Sequence, residues 1–372
     1  MNTDRPLRVA VYTDSTTIGG AEISLGHLVA TADPATQITA IGVSAAVLER
    51  ITTGRPQTPQ IVLPARGLAS ILAHCLTWHR LRPDIIHVNL CTPWAAAIGL
   101  VTALTLPQTR VVRVDQLPLR TTAALQLWRT RWLALRVDAN VAVGEASARR
   151  VEDFYALGRH SVVSIPNGVP DRGEPAPLAD RPPGELIVGS IGRLDPMKAH
   201  EILLRAIAQV EGVKAVILGE GGERYHLEQL ATSLGITDRI ELRGWVAQPQ
   251  DYLGEFDAIV QPSRSEGFPL AIVEAMLAAR PVIATPVGSV AEAVIDGKTG
   301  ILVEKNHVEE LAAALRRLRD DPKLRSFLGQ QGRALAVAQF TVEQMTASYE
   351  HLWRQVRARP PAPRWWVPRP KD

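Results

Sequence analysis

The chain has 372 residues, is 46% hydrophobic and 21% charged, and carries a formal net charge of +3. That length exceeds what one hydrophobic core usually spans, so two soluble globular domains are expected. The small net charge lacks the clustered Lys and Arg of a nucleic-acid binder, so no nucleic-acid partner is expected; a pI near 9.0 is compatible with a polyanionic ligand or an anionic membrane surface. Cys75 and Cys91 have neither metal-ligand spacing nor the density of a disulfide scaffold and read as apolar thiols. The N-terminal stretch turns polar after a few apolar residues, and the weakly apolar run 94–106 is too short for a bilayer span. A cytoplasmic protein is the expectation.

Along the chain, β-branched runs alternate with helical patterns. Residues 7–12, 38–43, 84–90, 110–115, 139–144 and 161–166 read as buried strands, with helices such as 21–32 between them. The stretch 167–185 then holds five prolines and three glycines, a linker composition. After it the alternation restarts, with strands at 186–192, 214–220, 240–245, 257–263, 281–286 and 299–304. This pattern predicts α/β architecture with two Rossmann-like doubly wound domains: 1–168, a linker at 169–184, and 185–339. A helix over about 340–358 and a Pro-rich tail at 359–372 follow. In such sheets ligands bind at the carboxyl ends of the strands, and the natural site lies in the cleft between the domains.

Four stretches carry chemistry. In TDSTTIGGAEISL (13–25), Gly19 and Gly20 stand where a strand gives way to a helix. They either let a ligand approach the backbone and helix N-terminus or form a plain turn. In GSIGRLDPMKAHEILLRAI (189–207), Arg193 and Lys198 flank Asp195-Pro196 at the equivalent place in the second domain. Two cations near a helix N-terminus are electrostatically odd. A bound phosphate resolves the oddity, as does solvation or pairing with Asp195. LGEGGERYHLEQL (218–230) resembles a dinucleotide turn, but its glycine spacing is wrong for one.

The fourth stretch, SRSEGFPLAIVEAM (263–276), puts Glu266 in a loop and Glu274 on an apolar helix, with Pro269 suited to the first helical position. A carboxylate among buried apolar residues needs a partner. A helix starting near Pro269 sets Glu274 roughly 7 to 8 Å further along its axis. The N–H groups of Phe268, Leu270 and Ala271 point into the space between the acids. Carboxylates at both ends suit sugar and ribose hydroxyls, and N–H donors in the middle suit a diphosphate. The alternative is two incidental surface acids.

Together with GGAE near the N-terminus, PNGV (166–169) and PVIATPVGSVAEAVIDGKTGILV (281–303), these stretches resemble the retaining family 4 glycosyltransferases of the GT-B fold. The resemblance covers nearly the whole chain and is strongest from 160 to 310. It implies a nucleotide-diphosphate sugar donor, GDP- or UDP-linked, held mainly by the second domain. It also implies an acceptor (a glycan, glycolipid or lipid-linked hydroxyl) on the first domain, no cofactor and no metal. By the same resemblance Arg193 and Lys198 neutralise the departing diphosphate, and Glu266, with Gly267 beside it, contacts the transferred sugar. Glu274 takes the ribose, the chain at Trp245 and Val246 the base, and the helix at 340–358 returns to the first domain. One departure stands out: Asp115, in VVRVDQLPL, occupies a position where the family commonly has a histidine. It is placed with the catalytic group as an acid that meets a sugar hydroxyl or faces the acceptor, or it is a helix-entry residue. His87 reads as a satisfied core or cleft residue. A sugar-nucleotide epimerase or hydrolase, or an inactive donor-binding subunit, are the rival readings. Finally, Leu125, Trp128, Trp132 and Leu135 recur at helical spacing among Arg129, Arg131 and Arg136. This is either a membrane-surface helix, giving peripheral contact with anionic lipid, or a core helix with snorkelling arginines.

Overall fold

A computed structural model describes residues 5–362; of the expected Pro-rich tail, residues 363–372 lie outside the described residues. The chain divides into two compact units, Met1–Gly168 with Val342–Asp372, and Val169–Thr341.

In the first unit the elements run β1 (Arg8–Thr13), α1 (Gly20–Thr31), β2 (Gln37–Gly42), α2 (Ala45–Thr52), β3 (Gln60–Val62), α3 (Gly67–Leu81), β4 (Ile85–Leu90), α4 (Ala97–Ala103), β5 (Arg110–Asp115), α5 (Ala124–Ala134), β6 (Ala139–Ala142), α6 (Glu145–Tyr155) and β7 (Val162–Ser164). The seven strands form one sheet in the order β3-β2-β1-β4-β5-β6-β7, and every pairing is parallel. Every residue of β4 and β5 is buried, because a parallel sheet must be covered on both faces. Side chains alternate accordingly. Val9, Val11, Val112 and Val114 join a core with α1 and α2, while Ala10, Tyr12, Ile86, Val88 and Val111 join a second core under α3, α4 and α5. Strand β3 has no counterpart in the sequence reading: it is three residues long, lies on the sheet edge, and buries none of them fully.

The second unit contains β8 (Leu186–Ile191), α7 (His200–Ala208), β9 (Val213–Leu218), α8 (Arg224–Ser233), β10 (Ile240–Gly244), β11 (Ala258–Gln261), α9 (Leu270–Leu277), β12 (Val282–Ala284), α10 (Val290–Ala293), β13 (Gly300–Leu302), α11 (Val308–Asp320) and α12 (Pro322–Gln339). Its sheet order is β10-β9-β8-β11-β12-β13, again all parallel. The strand order therefore reverses direction between β8 and β11, and in the first unit between β1 and β4. The Pro-rich stretch after Val169 is stitched into this unit. Arg280 donates to the carbonyl of Ala176 at 2.9 Å, and Arg181 pairs with the buried Asp257 at 2.5 Å.

The last helix, α13 (Val342–Ala358), belongs to the first unit. Its Val342, Met345, Tyr349, Leu352, Trp353 and Val356 complete the core under α1. His87 of β4 is buried edge-on to the rings of Tyr349 and Trp353, with centroids 5.1 and 5.8 Å away. Burial lowers its pKa to about 3, so it is a neutral core residue at physiological pH.

Candidate functional site

The site is built where the strand order of the second unit reverses, the place at which α/β sheets offer a crevice to ligands. The side chain of Gln261, the last residue of β11, donates to the carbonyl of Ile191, the last residue of β8, at 2.6 Å. The two carboxyl ends are thereby fixed side by side. From β8 the chain turns through Gly192–Ala199. Asp195 folds this turn by accepting from the Met197 N–H at 3.0 Å, the usual Asx geometry. Ala199 closes the turn in the left-handed region, at φ 53°. Holding a non-glycine residue there costs on the order of 1 kcal/mol, offset here by complete burial in the core. The result is a Lys198 whose stem lies over Gly192: a Cβ added at 192 would come within 3.2 Å of Lys198 Cε.

Glu266 arrives from β11. Lys198 Nζ donates to Glu266 Oε1 at 2.6 Å, and Ser263 Oγ donates to the same oxygen at 2.7 Å. The two charged side chains are mostly buried, at 19% and 9% exposure. The loop between them is braced by Arg264, which donates to Asn306 and to the Pro196 carbonyl and pairs with Glu201. Gly288 is a further support: its φ is +60°, and a Cβ there would sit 2.1 Å from the carbonyl oxygen of Glu266. Only glycine allows that approach. Arg193 points outward at 71% exposure and pairs with Asp195 at 2.9 Å. An exposed pair of that kind is worth little, so the guanidinium can exchange partners at small cost.

Helix α9 begins beside Glu266. Pro269 occupies the N-cap with ψ 125° and not the first helical position expected from the sequence. The reason is that the helix is entered from an extended Gly-Phe-Pro step. Phe268 is buried against Phe340, with ring centroids 5.0 Å apart, and the Gly267 carbonyl accepts from the Ser289 N–H at 2.8 Å. Leu270 and Ala271 are then the first two helical residues. The N–H groups of a first turn have no intrahelical acceptor, and the helix dipole adds positive potential there. Leu270 is buried and Ala271 half-buried.

Glu274 lies further along α9, buried, and accepts from Gln250 Nε2 at 2.5 Å. Burial pushes its pKa up to about 7, while the Gln250 hydrogen bond and the nearby Arg172 pull it down. The two acids thus have separate partners and different electrostatics: Glu266 is matched by a cation, Glu274 only by an amide. Val246 follows β10 and is half-buried next to the exposed Trp245. The glycine turn after β9 serves packing: Gly219, at φ +155°, would drive a Cβ to 1.8 Å from the Gly192 carbonyl. It supports the loop that carries Lys198.

The first unit treats its charged groups differently. Asp115, at the end of β5, is completely buried, and both of its oxygens are held by Arg113. Arg113 also donates to the Pro93 carbonyl at 3.0 Å. The expectation that Asp115 meets a sugar hydroxyl or faces an acceptor is therefore corrected: residues two apart on one strand share a face, so the side chain is the internal counter-ion of its neighbour. Gly19 is the N-cap of α1, and its N–H donates to Glu22 Oε2 at 3.0 Å. Glu22 is buried, its pKa is raised by that burial, and its other oxygen accepts from Cys91 Sγ at 2.9 Å. Gly20 is exposed, and a Cβ there would meet nothing within 4 Å. Behind this turn runs a buried chain of amides. Asn167 donates to Gln116 at 3.1 Å, Gln116 to Asn89 at 2.8 Å, and Asn89 to the Ala21 carbonyl at 3.1 Å.

Ser263, Gln250, Arg172 and Glu22 were not singled out as site residues by the sequence reading. For Ser263 the three-residue spacing to Glu266 was a usable signal; for Gln250 and Arg172 none existed, because they meet Glu274 only through the fold. Among the described residues, no three His, Cys, Asp or Glu side chains come together as a metal-holding group.

Comparison with known proteins places this geometry. The profile of glycosyl transferases group 1 matches residues 179–335, and that of Glycosyltransferase Family 4 matches residues 19–172. The lipopolysaccharide core biosynthesis glycosyltransferase LpsE of Rhizobium meliloti is 31% identical over 204 residues, 55% of this chain and 57% of that protein. A D-inositol 3-phosphate glycosyltransferase of Mycolicibacterium smegmatis is 34% identical over 190 residues, 49% of this chain and 44% of that protein. The chain thus spans about half the length of the curated relatives it matches. Among solved structures, Anabaena Alr3699/HepE in complex with UDP superposes with a TM-score of 0.81 at 23% identity, covering 94% of this chain and 100% of that one. That likeness establishes the fold, two parallel-sheet Rossmann-like domains of the GT-B type. With one profile on each unit, the chain belongs to the family 4, group 1 glycosyltransferases.

Proposed function

We propose that the chain transfers a hexosyl group from a nucleotide-diphosphate sugar, GDP- or UDP-linked, to a hydroxyl of a glycan or lipid-linked acceptor, with retention at the anomeric carbon. The observation that carries the reading is the Lys198–Glu266 pair, 2.6 Å apart at the strand reversal and beside the N-terminus of α9. Relatives named as glycosyltransferases and a neighbour solved with UDP-glucose support it.

In this reading Lys198, Arg193 and the first N–H groups of α9 receive the diphosphate. As the bond from the anomeric carbon to the phosphate oxygen lengthens, negative charge grows on that oxygen and positive charge on the sugar ring. Lys198 and Arg193 stabilise the former, and the Glu266 carboxylate stabilises the latter. The acceptor hydroxyl attacks on the same face, and its proton passes to the departing phosphate oxygen. Two protein cations already supply the charge neutralisation, so we assign the reaction no metal and no cofactor. Glu274, as a carboxylate, accepts from the ribose hydroxyls.

The test is acceptor-dependent release of nucleoside diphosphate, measured across UDP- and GDP-sugars with chelator present. Glu266→Gln keeps shape and removes charge. Its kcat is expected to fall on the order of 100-fold or more, with donor KM nearly intact. Donor consumption without any acceptor, or a Glu266→Gln kcat near the parent value, would overturn the assignment.

A further inference from the structure

Two buried acids of the first unit have both carboxylate oxygens occupied. Arg113 takes both oxygens of Asp115. Glu22 has one donor on each oxygen, the Gly19 N–H on Oε2 and Cys91 Sγ on Oε1. Glu266 is held differently. Lys198 Nζ at 2.6 Å and Ser263 Oγ at 2.7 Å both donate to Oε1, and Oε2 receives no hydrogen bond from any described residue. The side chain is nonetheless only 9% exposed. An ionised carboxylate has about four lone-pair sites over its two oxygens, so the protein loads one oxygen and leaves the other bare.

Lysine alone does not fix that asymmetry. The last torsion of a glutamate is broad and nearly two-fold, so its oxygens exchange places readily unless a neighbour pins one. The Lys198 ammonium is a compact charge with three rotatable donors on a flexible stem. It is carried by the turn Gly192–Ala199, and in the proposed reaction it also serves the diphosphate.

Ser263 is a different kind of donor. It has one hydroxyl proton, and it stands two residues beyond the end of β11, fully buried. Its carbonyl accepts from the hydroxyl of Thr285, a residue 1% exposed that directly follows β12. The Thr285 N–H donates to the Gln261 carbonyl at 3.3 Å, and Gln261 is tied to β8 through the Ile191 carbonyl. The hydroxyl that meets Glu266 is thus delivered from the interlocked ends of three strands, whereas the ammonium comes from a turn.

We infer that Ser263 is a positioning residue for the transfer: it holds Glu266 by Oε1 while Lys198 is shared with the diphosphate, and so keeps Oε2 as the one oxygen offered to the sugar. This inference deepens the proposed reaction and rests on it. Positive charge gathers on the ring as the anomeric bond lengthens, so a carboxylate that turns or tilts away loses its effect chiefly in the transition state. Donor binding keeps Lys198, Arg193 and the first N–H groups of α9, none of which needs the hydroxyl.

The experiment is a double-mutant cycle of Ser263→Ala and Glu266→Gln in the full chain. It is read by kcat and donor KM at saturating acceptor and by titration of UDP and GDP, after each protein is shown to melt cooperatively. Ser263→Ala should lower kcat on the order of tenfold or more, the size of one hydrogen bond to a charged group. Donor KM and nucleotide affinity should stay within about twofold of the parent. In the Glu266→Gln background the same change should cost less than about twofold, because the group it positions is already gone. Ser263→Thr keeps the hydroxyl and should recover most of kcat, whereas Ser263→Cys keeps the volume with a weak donor and should not.

A Ser263→Ala kcat near the parent value, beside an impaired Glu266→Gln, overturns the inference and leaves the proposed reaction standing. Additive losses in the cycle overturn it too, as do parallel falls in kcat, nucleotide affinity and melting temperature, since these mark a hydroxyl that supports the loop and not Glu266. If Ser263→Ala does not fold, Ser263→Cys decides in the same way: reduced kcat with intact nucleotide affinity supports the inference, and parent kcat overturns it. A Glu266→Gln kcat near the parent value removes the proposed reaction and this inference together.

Discussion

The two sheets share a strand order, yet their carboxyl edges hold charge in opposite ways. In the first unit the charge pair at the end of β5 is closed on itself: Arg113 takes both oxygens of Asp115, and the amides of Asn89, Gln116 and Asn167 pass hydrogen bonds to one another. In the second unit the charges stop short of closure. Arg193 is largely in solvent, Lys198 meets Glu266 through one oxygen, and Glu274 has an amide where a cation would be needed to hold it ionised. The lesson is that a buried acid at a strand end is not by itself a site. What distinguishes a site is charge that remains incompletely matched by the protein, because a polar ligand can then complete it.

The sharpest break of this contrast is at Arg113. Arg113→Met leaves Asp115 buried without its partner and is expected to destabilise the first unit by about 3 to 5 kcal/mol. The double change Arg113→Met, Asp115→Leu should recover most of that loss, since an apolar pair of similar volume is often neutral there. Calorimetric melting of the three proteins checks both statements. A single variant as stable as the parent would mean that Asp115 finds another partner or water.

The next effect is in pH. Glu274 has a folded pKa of about 7 against an ordinary value of 4.5, so the folded chain keeps a proton that the unfolded chain has released. That preference stabilises the ligand-free fold fully below about pH 4.5 and is lost as pH rises through about 7. The difference corresponds to about 3 kcal/mol. In the proposed reading ligand acts in the other direction: with ribose hydroxyls donating to the carboxylate, nucleotide binding should release a proton and tighten as pH rises through about 7. Glu274→Gln should flatten both dependences. Melting temperature and nucleotide affinity measured from pH 5 to 8 decide this, and a parallel pH course in parent and variant would remove Glu274 from the account.

These contrasts also mark what the sequence could tell. The alternation of apolar strands and helices carried the two doubly wound sheets, since continuous runs such as IIHVNL are what two-sided burial requires. Arg193, Lys198, Glu266 and Glu274 were legible because charge beside glycine and proline at strand ends is chemically conspicuous. Asp115 looked the same in one dimension. Asp115 is closed off by Arg113, two residues away on the same face, and the pairing could have been read from that spacing. Gln250 reaches Glu274 from a distant segment and Arg172 acts on it through its charge, and no local pattern predicts either. Leu68, Ile71, Leu72 and Leu76 of α3 are exposed, as are Leu125 and Trp128 of α5. That surface was invisible in the sequence because the leucines have the periodicity of a core helix; only the structure shows that Ser70, His74 and Trp78 face inward.

The central claim is that the strand reversal of the second unit holds a nucleoside diphosphate through Lys198. Titration calorimetry of UDP and GDP into the parent and into Lys198→Ala tests it directly, once both are shown to melt cooperatively. A charge-assisted contact to phosphate is worth about 1.5 to 3 kcal/mol, so the account predicts that the better-bound nucleotide loses on the order of 10- to 100-fold in affinity. Equal affinity in parent and variant would contradict it.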